Sequence, residues 1–296
     1  MTSPTNAADS LLEVAAPSRS LRSDAWRRFR TNKLAMFGLF LVVLLMLIGI
    51  FGPYLVQDPQ AQERLLFKTG PDATHWFGTD QVGRDVFARV VHGIRLSLFI
   101  GFLVTLLETT VGIALGAIAG WYGGWTDGVI MRIVDVLLAL PYVLIAFALA
   151  AVFGYGVLPV VVTLVITSWL TTARVVRAGF LQAKVFDYVE AARAIGVPTR
   201  RIIVRHMLPN IIQPVLVLIA VGIGGAVLAE SALSFLGVGV QEPTASLGLM
   251  IARSRSFFAD APGLLFFPGA AIVITVLGFL LIGDGLRDAL DVRGDV

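Results

Sequence analysis

The amino-acid sequence predicts an all-α, polytopic membrane protein with six transmembrane helices and both termini in the cytoplasm, on three observations. Hydrophobic residues make up 57% of the 296 and charged residues 15%, which leaves too little polar surface to cover a water-soluble globule. The apolar residues are gathered in uncharged runs of roughly 20, the length a helix rising about 1.5 Å per residue needs to cross a hydrocarbon core about 30 Å thick. The basic residues are shared unequally between the segments that join those runs.

Leu34 to Val56, Met207 to Ala229 and Ala261 to Gly283 carry no charge, and each reads as one span. Val136 to Ala173 is uncharged but too long for one crossing. It is interrupted at Gly154-Tyr155-Gly156 with Pro159 just beyond, so it reads as a helical hairpin of two spans. Leu96 to Tyr122 completes the six, with Glu108 as its one acidic interruption. The chain then divides into a tail 1–33, a first span 34–56, an external loop 57–93, a five-helix core 94–284 and a tail 285–296. The polar start of the chain is too long for a cleaved secretory signal, so Leu34 to Val56 reads as a retained anchor. Residues 1–20 have the composition of a disordered tail.

Basic residues retained in the cytoplasm set topology. With both termini inside, the internal segments hold sixteen Lys and Arg and the external ones seven. The internal set runs from Arg19, Arg22, Arg27, Arg28, Arg30 and Lys33 through Arg132 and the Arg174 to Arg205 region to Arg287 and Arg293. The external set is Arg64, Lys68, Arg84, Arg89, Arg95, Arg253 and Arg255. Topology thus accounts for the basic balance without nucleic acid.

The absence of cysteine excludes disulfides, thiolate metal sites and cysteine nucleophiles. His75, His92 and His206 are scattered over both sides of the membrane, so no metal site is expected. No Gly-x-x-x-x-Gly-Lys-Ser/Thr loop is present to cradle nucleotide phosphates, no inverted repeat marks a secondary transporter, and no convergent catalytic constellation marks a membrane enzyme. The chain is therefore expected to catalyse nothing by itself and to bind no cofactor.

The most strongly punctuated hydrophilic segment is 187–206. Asp187 and Glu190 favour a helix start, an Ala-rich stretch continues it, Gly196 ends it, and Pro198 suits the start of a second, basic helix. The paired small residues Ala191 and Ala192, edged by Glu190 and Arg193, suit close docking in a groove of another protein. The same helix could equally rest on anionic headgroups through Arg200, Arg201 and Arg205.

Glu190-Ala191-Ala192, with Gly196 four residues on and Leu208-Pro209 beyond, resembles the EAA motif of the membrane subunits of ATP-binding-cassette importers. Resemblance continues through Asn32-Lys33-Leu34-Ala35, Phe77-Gly78-Thr79-Asp80, Gly83-Arg84-Asp85, Gly123-Gly124-Trp125-Thr126-Asp127, Ala232 to Gly237, Phe267-Pro268-Gly269 and Gly283 to Asp291. In this order the segments look like the C-type permeases of dipeptide, oligopeptide and nickel importers. The chain departs from them at Leu247, Leu281 and Val292, where Trp, Asn and Pro are frequent.

The resemblance implies a type I importer permease fold in the bacterial inner membrane. Its implied partners are a second, homologous permease, two cytoplasmic ATPase subunits that carry the ATP and Mg, and an external solute-binding protein. It makes Glu190, Ala191, Ala192, Arg193 and Gly196 the ATPase-coupling residues.

Acids inside the membrane are costly and therefore informative. Glu108 and Glu230 are candidates for the translocation pathway, with a hydrogen-bonded packing role as the alternative. In the first external loop, Asp80, Arg84, Asp85 and Arg89 have the spacing of a short salt-bridged helix, and Asp80, Arg84 and Asp85 are candidates for contact with the binding protein. Gly112, Gly116 and Gly120 mark a close helix-packing face.

Overall fold

A computed structural model of the chain describes residues 21–63 and 66–291. The tail 1–20 and, among the residues weighed above, Arg19, Arg64, Val292 and Arg293 lie outside the described residues. Among the described residues the structure is helical, apart from loops and one isolated bridge between Thr79 and Asp85.

An amphipathic helix α1, Leu21–Thr31, precedes the first span α2, Lys33–Phe51. The break between them is made by Asn32, whose side-chain oxygen accepts from the amides of Leu34 and Ala35 at 3.0 and 3.2 Å. A side chain that caps the new helix in this way holds its own backbone out of helical geometry. A short turn, Gly52–Tyr54, closes α2.

Helix α3, Val86–Tyr122, has 37 residues and is therefore about 55 Å long, well beyond the hydrocarbon thickness. It starts ten residues before the span expected at Leu96 and seven before the loop boundary expected at Gly93. Asp85 caps it, accepting from Ala88 N at 2.6 Å, and the added turns bury Val86, Val90 and Ile94 against Leu247, Met250 and Leu264. An apolar-run criterion misses these turns because they carry Arg89, His92 and Arg95.

The third crossing also departs from expectation. It is a broken span, α4, Gly124–Leu138, and α5, Tyr142–Phe153, bent by 88°. The cause is Pro141, which lacks an amide proton and disfavours helical geometry at Leu140. The break at Gly154-Tyr155-Gly156 is where it was expected, and α6, Val157–Ala183, follows it. Among the described residues five helices are long and apolar enough to cross a membrane, and six spans result when α4 and α5 are taken as one.

The short helix α7, Asp187–Ala194, turns into α8, Thr199–Phe235, whose first part contains a π-helical stretch over Ile202–Met207. The chain finishes with α9, Leu247–Ser254, and the last span α10, Gly263–Leu290.

Glycine decides how closely the long helices approach. A methyl group added at Gly112, Gly116 or Gly120 of α3 would lie 2.7 Å from Thr172 Cβ, 2.5 Å from the Ala173 carbonyl oxygen and 2.5 Å from Phe180 Cβ, all on α6. The small-residue face is thus a packing face. All three contacts are with atoms that no rotamer change removes. On the other side of the bundle, Gly38 of α2 meets the α10 backbone in the same way, with its added methyl 2.6 Å from Leu281 Cβ.

Gly116→Leu is expected to destabilise the protein by about 1–3 kcal/mol or more, the range for overpacking a close-packed site. Thermal unfolding in detergent would show a lowered midpoint. An unchanged midpoint would mean that the two helices can part at no cost.

Candidate functional site

Two polar constructions stand at opposite ends of the bundle, one around α7 and one around the loops 55–85 and 236–262.

Helix α7 ends as its sequence dictates. Gly196 has φ +76°, its amide donates to the Arg193 carbonyl at 3.0 Å, and the Val197 amide donates to the Ala192 carbonyl at 3.0 Å. This is the Schellman arrangement, which satisfies the last carbonyls and needs a residue at ease with positive φ. One face of α7 is sealed to the bundle, with Val189 and Ala192 buried against Phe180 of α6 and Ile202, Met207 and Ile211 of α8. Tyr188 Oη accepts a hydrogen bond from Asn210 Nδ2 at 3.2 Å.

Of the five coupling candidates, the structure turns Ala192 inward and seats the Arg193 guanidinium over the Trp121 ring, 4.5 Å from its centroid. The two alanines therefore do not form a pair on one surface. Successive helical residues point about 100° apart, so Ala192 packs at home while Ala191, Glu190 and Gly196 remain exposed. The exposed apolar residues are ones that sequence reasoning passed over: Ile195 at 80%, Val185 at 73%, Phe186 at 50% and Tyr188 at 38% exposure. Their signal was available, since Tyr188, Ala191 and Ile195 follow the three- and four-residue steps of a single helical face.

At the other end, Asp80, Arg84, Asp85 and Arg89 do not form a short helix. Asp80 and Arg84 sit in a loop in which the Asp80 side chain accepts from the amides of Val82 and Arg84, both at 2.9 Å. Arg84 Nε donates to Asp80 at 2.7 Å, and Arg84 Nη1 donates to Glu242 at 2.6 Å. Arg89 Nη2 reaches the same Glu242 carboxylate at 3.2 Å, and its Nη1 donates to the Pro59 carbonyl at 3.2 Å. Glu242, from a loop more than 150 positions away in sequence, was invisible as a partner. Asp80, Arg84 and Asp85 are buried, so these side chains brace the loops from within and offer little surface for direct contact with another protein.

Asp85 has a second task. While one oxygen caps α3, the other meets His75 Nδ1 at 2.7 Å. This bond raises the His75 pKa above its ordinary value of about 6.5, against the opposing effect of burial.

Beneath the loops, Glu230 is completely buried and receives four serine hydroxyls. Ser234 and Ser246 donate to one oxygen at 2.9 Å each, and Ser97 and Ser231 to the other at 3.0 and 3.4 Å. The Ser234 oxygen in turn accepts from the Val240 amide at 3.1 Å. One carboxylate thus ties α3, α8 and the chain entering α9. Glu108 is also buried, beside Thr105 and against Gly222, where an added methyl would lie 3.0 Å from its Oε1. Neither acid presents a free surface in this arrangement. Among the described residues no cluster of three or more metal-ligating side chains occurs.

Comparison with known proteins adds independent findings. The profile of the binding-protein-dependent transport system inner membrane component family matches residues 112–294, and that of the N-terminal TM domain of oligopeptide transport permease C matches residues 20–71. The chain is 41% identical to the dipeptide transport system permease protein DppC of Bacillus subtilis (strain 168) over 94% of its own length and 88% of the relative's. It is also 41% identical to the oligopeptide transport system permease protein OppC of the same organism, over 94% of this chain and 92% of that one. The glutathione transport system permease protein GsiD of Pectobacterium atrosepticum is 41% identical over 90% and 89% of the two chains. Among solved structures, a chain of the inward-facing MetNI methionine ABC transporter is similar in fold, with TM-score 0.56 and 19% identity, covering 69% of this chain and 97% of that one.

Two outcomes follow from the loop framework. Glu242→Ala leaves two largely buried guanidinium groups without their shared partner, which should cost about 1–3 kcal/mol and make the loop 55–85 markedly more sensitive to protease. Because the His75 pKa is raised in the folded state, its contribution to stability is complete below about pH 6.5 and is lost as pH rises through the raised value. The thermal midpoint should fall across that window, and His75→Gln should remove that part of the pH dependence.

Proposed function

The chain belongs to the family of binding-protein-dependent transport system inner membrane components, and on that premise we propose that it imports small peptides as one of two homologous permease subunits. It is a multi-pass membrane permease of the ATP-binding-cassette importer type. Dipeptide and oligopeptide cargo is supported by the names of the relatives that match nearly its whole length. In this reading two ATPase subunits bind ATP and Mg in the cytoplasm, beneath α7, and a solute-binding protein delivers cargo to the loops at the other end.

The observation that carries the coupling role is the apolar patch of Val185, Phe186, Tyr188 and Ile195 around α7. Exposed apolar groups at the water-facing end of a membrane protein mark an interaction surface, and Glu190 gives the patch an acidic edge. Ala191 lets a partner surface come close, whereas Ala192, Arg193 and Gly196 hold the helix in place.

ATP-driven closure of the ATPases would push α7. Val189 and Ala192 pass the push to α6 and α8, and the glycine contacts pass it from α6 to α3, because close-packed interfaces shift as units rather than deform gradually. Relative movement of α3, α6 and α8 would open the permease pair outward, and hydrolysis would reset it. Of the two intramembrane acids, Glu108 has hydrogen-bonding capacity left for a pathway role, whereas Glu230 is saturated by its serines and anchors the outer loops.

Gly196→Pro or Glu190→Arg is expected to abolish peptide uptake while the protein still inserts in the membrane, and Phe186→Asp should release the ATPase subunits during affinity purification. Normal uptake in the first two, with ATPase retained in the third, would sink the coupling assignment.

A further inference from the structure

Arg95 lies on α3 level with Gly49 of α2, where an added methyl would sit 3.4 Å from the Arg95 Cα. Gly49 is two residues from the end of α2 at Phe51, a rise of about 3 Å. The arginine is therefore set where the apolar stretch Leu34 to Val56 is finishing. It is exposed, and no carboxylate or other hydrogen-bond acceptor reaches it among the described residues. An unpaired guanidinium at that depth is open to an anionic group from outside the chain, and a charge-assisted hydrogen bond there is stronger than one to water.

Arg95 also lines two neighbouring hollows, one apolar and one in which polar side chains stand among apolar ones. On the membrane side, a hollow of 270 Å³ between α2 and α3 is walled by Met46, Ile50, Leu98, Phe99 and Phe102, with Tyr54 at its end. On the loop side, a hollow of 420 Å³ brings Gln60, His92 and Thr244 together with Pro59, Leu96, Phe99, Pro243 and Ala245. A ligand filling both is largely apolar, with a negative charge at Arg95 and a few polar groups toward Gln60, His92 and Thr244.

From this arrangement we infer that Arg95 is the centre of a binding site for an anionic phospholipid of the adjoining leaflet. The phosphate meets the guanidinium, the headgroup hydroxyls occupy the hollow with Gln60, His92 and Thr244, and an acyl chain occupies the hollow with Met46 and Phe102. A peptide would fit poorly in the membrane-side hollow, because its amides would find only Arg95 and Tyr54 there and would otherwise go unsatisfied. An acyl chain has no such requirement. Tyr54 at the rim has the amphipathic character of residues at the membrane–water interface. The inference does not depend on the transport reading, which stands or falls separately on uptake.

The test uses the full-length chain purified with its co-purifying subunits, delipidated and then exposed to phosphatidylglycerol, with retained lipid counted by native mass spectrometry. Wild type should retain phosphatidylglycerol in preference to phosphatidylethanolamine. Arg95→Gln, at an exposed position that bonds to nothing else described, should lower retention at least tenfold, and Arg95→Lys should keep most of it. Met46→Trp, which fills the apolar hollow and leaves the charge in place, should lower retention as well.

Retention by Arg95→Gln equal to wild type would overturn the site. So would displacement by inorganic phosphate or glycerophosphoglycerol as readily as by the diacyl lipid, since that would make it a site for free anions. A cross-link placing a second permease chain in the hollow beside Met46 would also overturn it, as would an Arg95→Gln protein that loses peptide affinity but keeps its lipid.

Discussion

The architecture depends on how near α3 can come to α6. Gly112, Gly116 and Gly120 bring the α3 backbone against Thr172, the Ala173 carbonyl and Phe180 at distances no side chain would permit. Lipid is as apolar as the residues that face it, so helices in a membrane are not driven together by hydrophobicity and must gain by close contact and by satisfying polar groups. The contact at Gly120 has a further consequence. It seats Phe180, which with Ile202, Met207 and Ile211 forms the bed on which Val189 and Ala192 of α7 lie. The placement of the proposed coupling helix thus follows from glycine spacing on a helix it does not belong to.

The second constraint is that buried polar groups must find partners. At the loop end this is met by concentrating partners on a few carboxylates. Glu230 takes four serine hydroxyls, Glu242 takes both Arg84 and Arg89, and Asp85 divides its two oxygens between an α3 amide and His75. Glu230 and Glu242 each join segments far apart in sequence, so the loops are held as one platform rather than as independent excursions. At the opposite end the logic is reversed. Only the inner face of α7 is sealed, and Phe186 and Ile195 are left uncovered. A rigid platform and an unfinished apolar surface are what a subunit needs if it is to receive cargo at one end and force at the other.

Much of this could be read from residue order. Uncharged runs located the spans because lipid thickness sets a minimum length, and the Gly196 turn was legible because positive φ and a missing side chain go together. Boundaries set by charge were less legible. The first turns of α3 carry arginines and a histidine yet are helical, since Asp85 caps them, Arg89 finds Glu242 and the Pro59 carbonyl, and His92 meets the Ala88 carbonyl. The bend at Pro141 was overlooked because an uninterrupted apolar run hides a proline that hydropathy does not weigh.

The sequence by itself determined the solvent, the places of most spans, the helix–turn–helix at 187–206 and the resemblance to importer permeases. All of these rest on local periodicity, on length or on motifs contiguous in the chain. Tertiary structure alone decided that Asp80, Arg84 and Asp85 brace the loops from within, that Glu230 is a saturated anchor, and that Ala192 faces home and Arg193 lies over Trp121 while Phe186 and Ile195 face out. Those outcomes depend on partners such as Glu242, Ser246 and Trp121, which are distant in sequence, and burial is a property of the assembled bundle that no single segment carries.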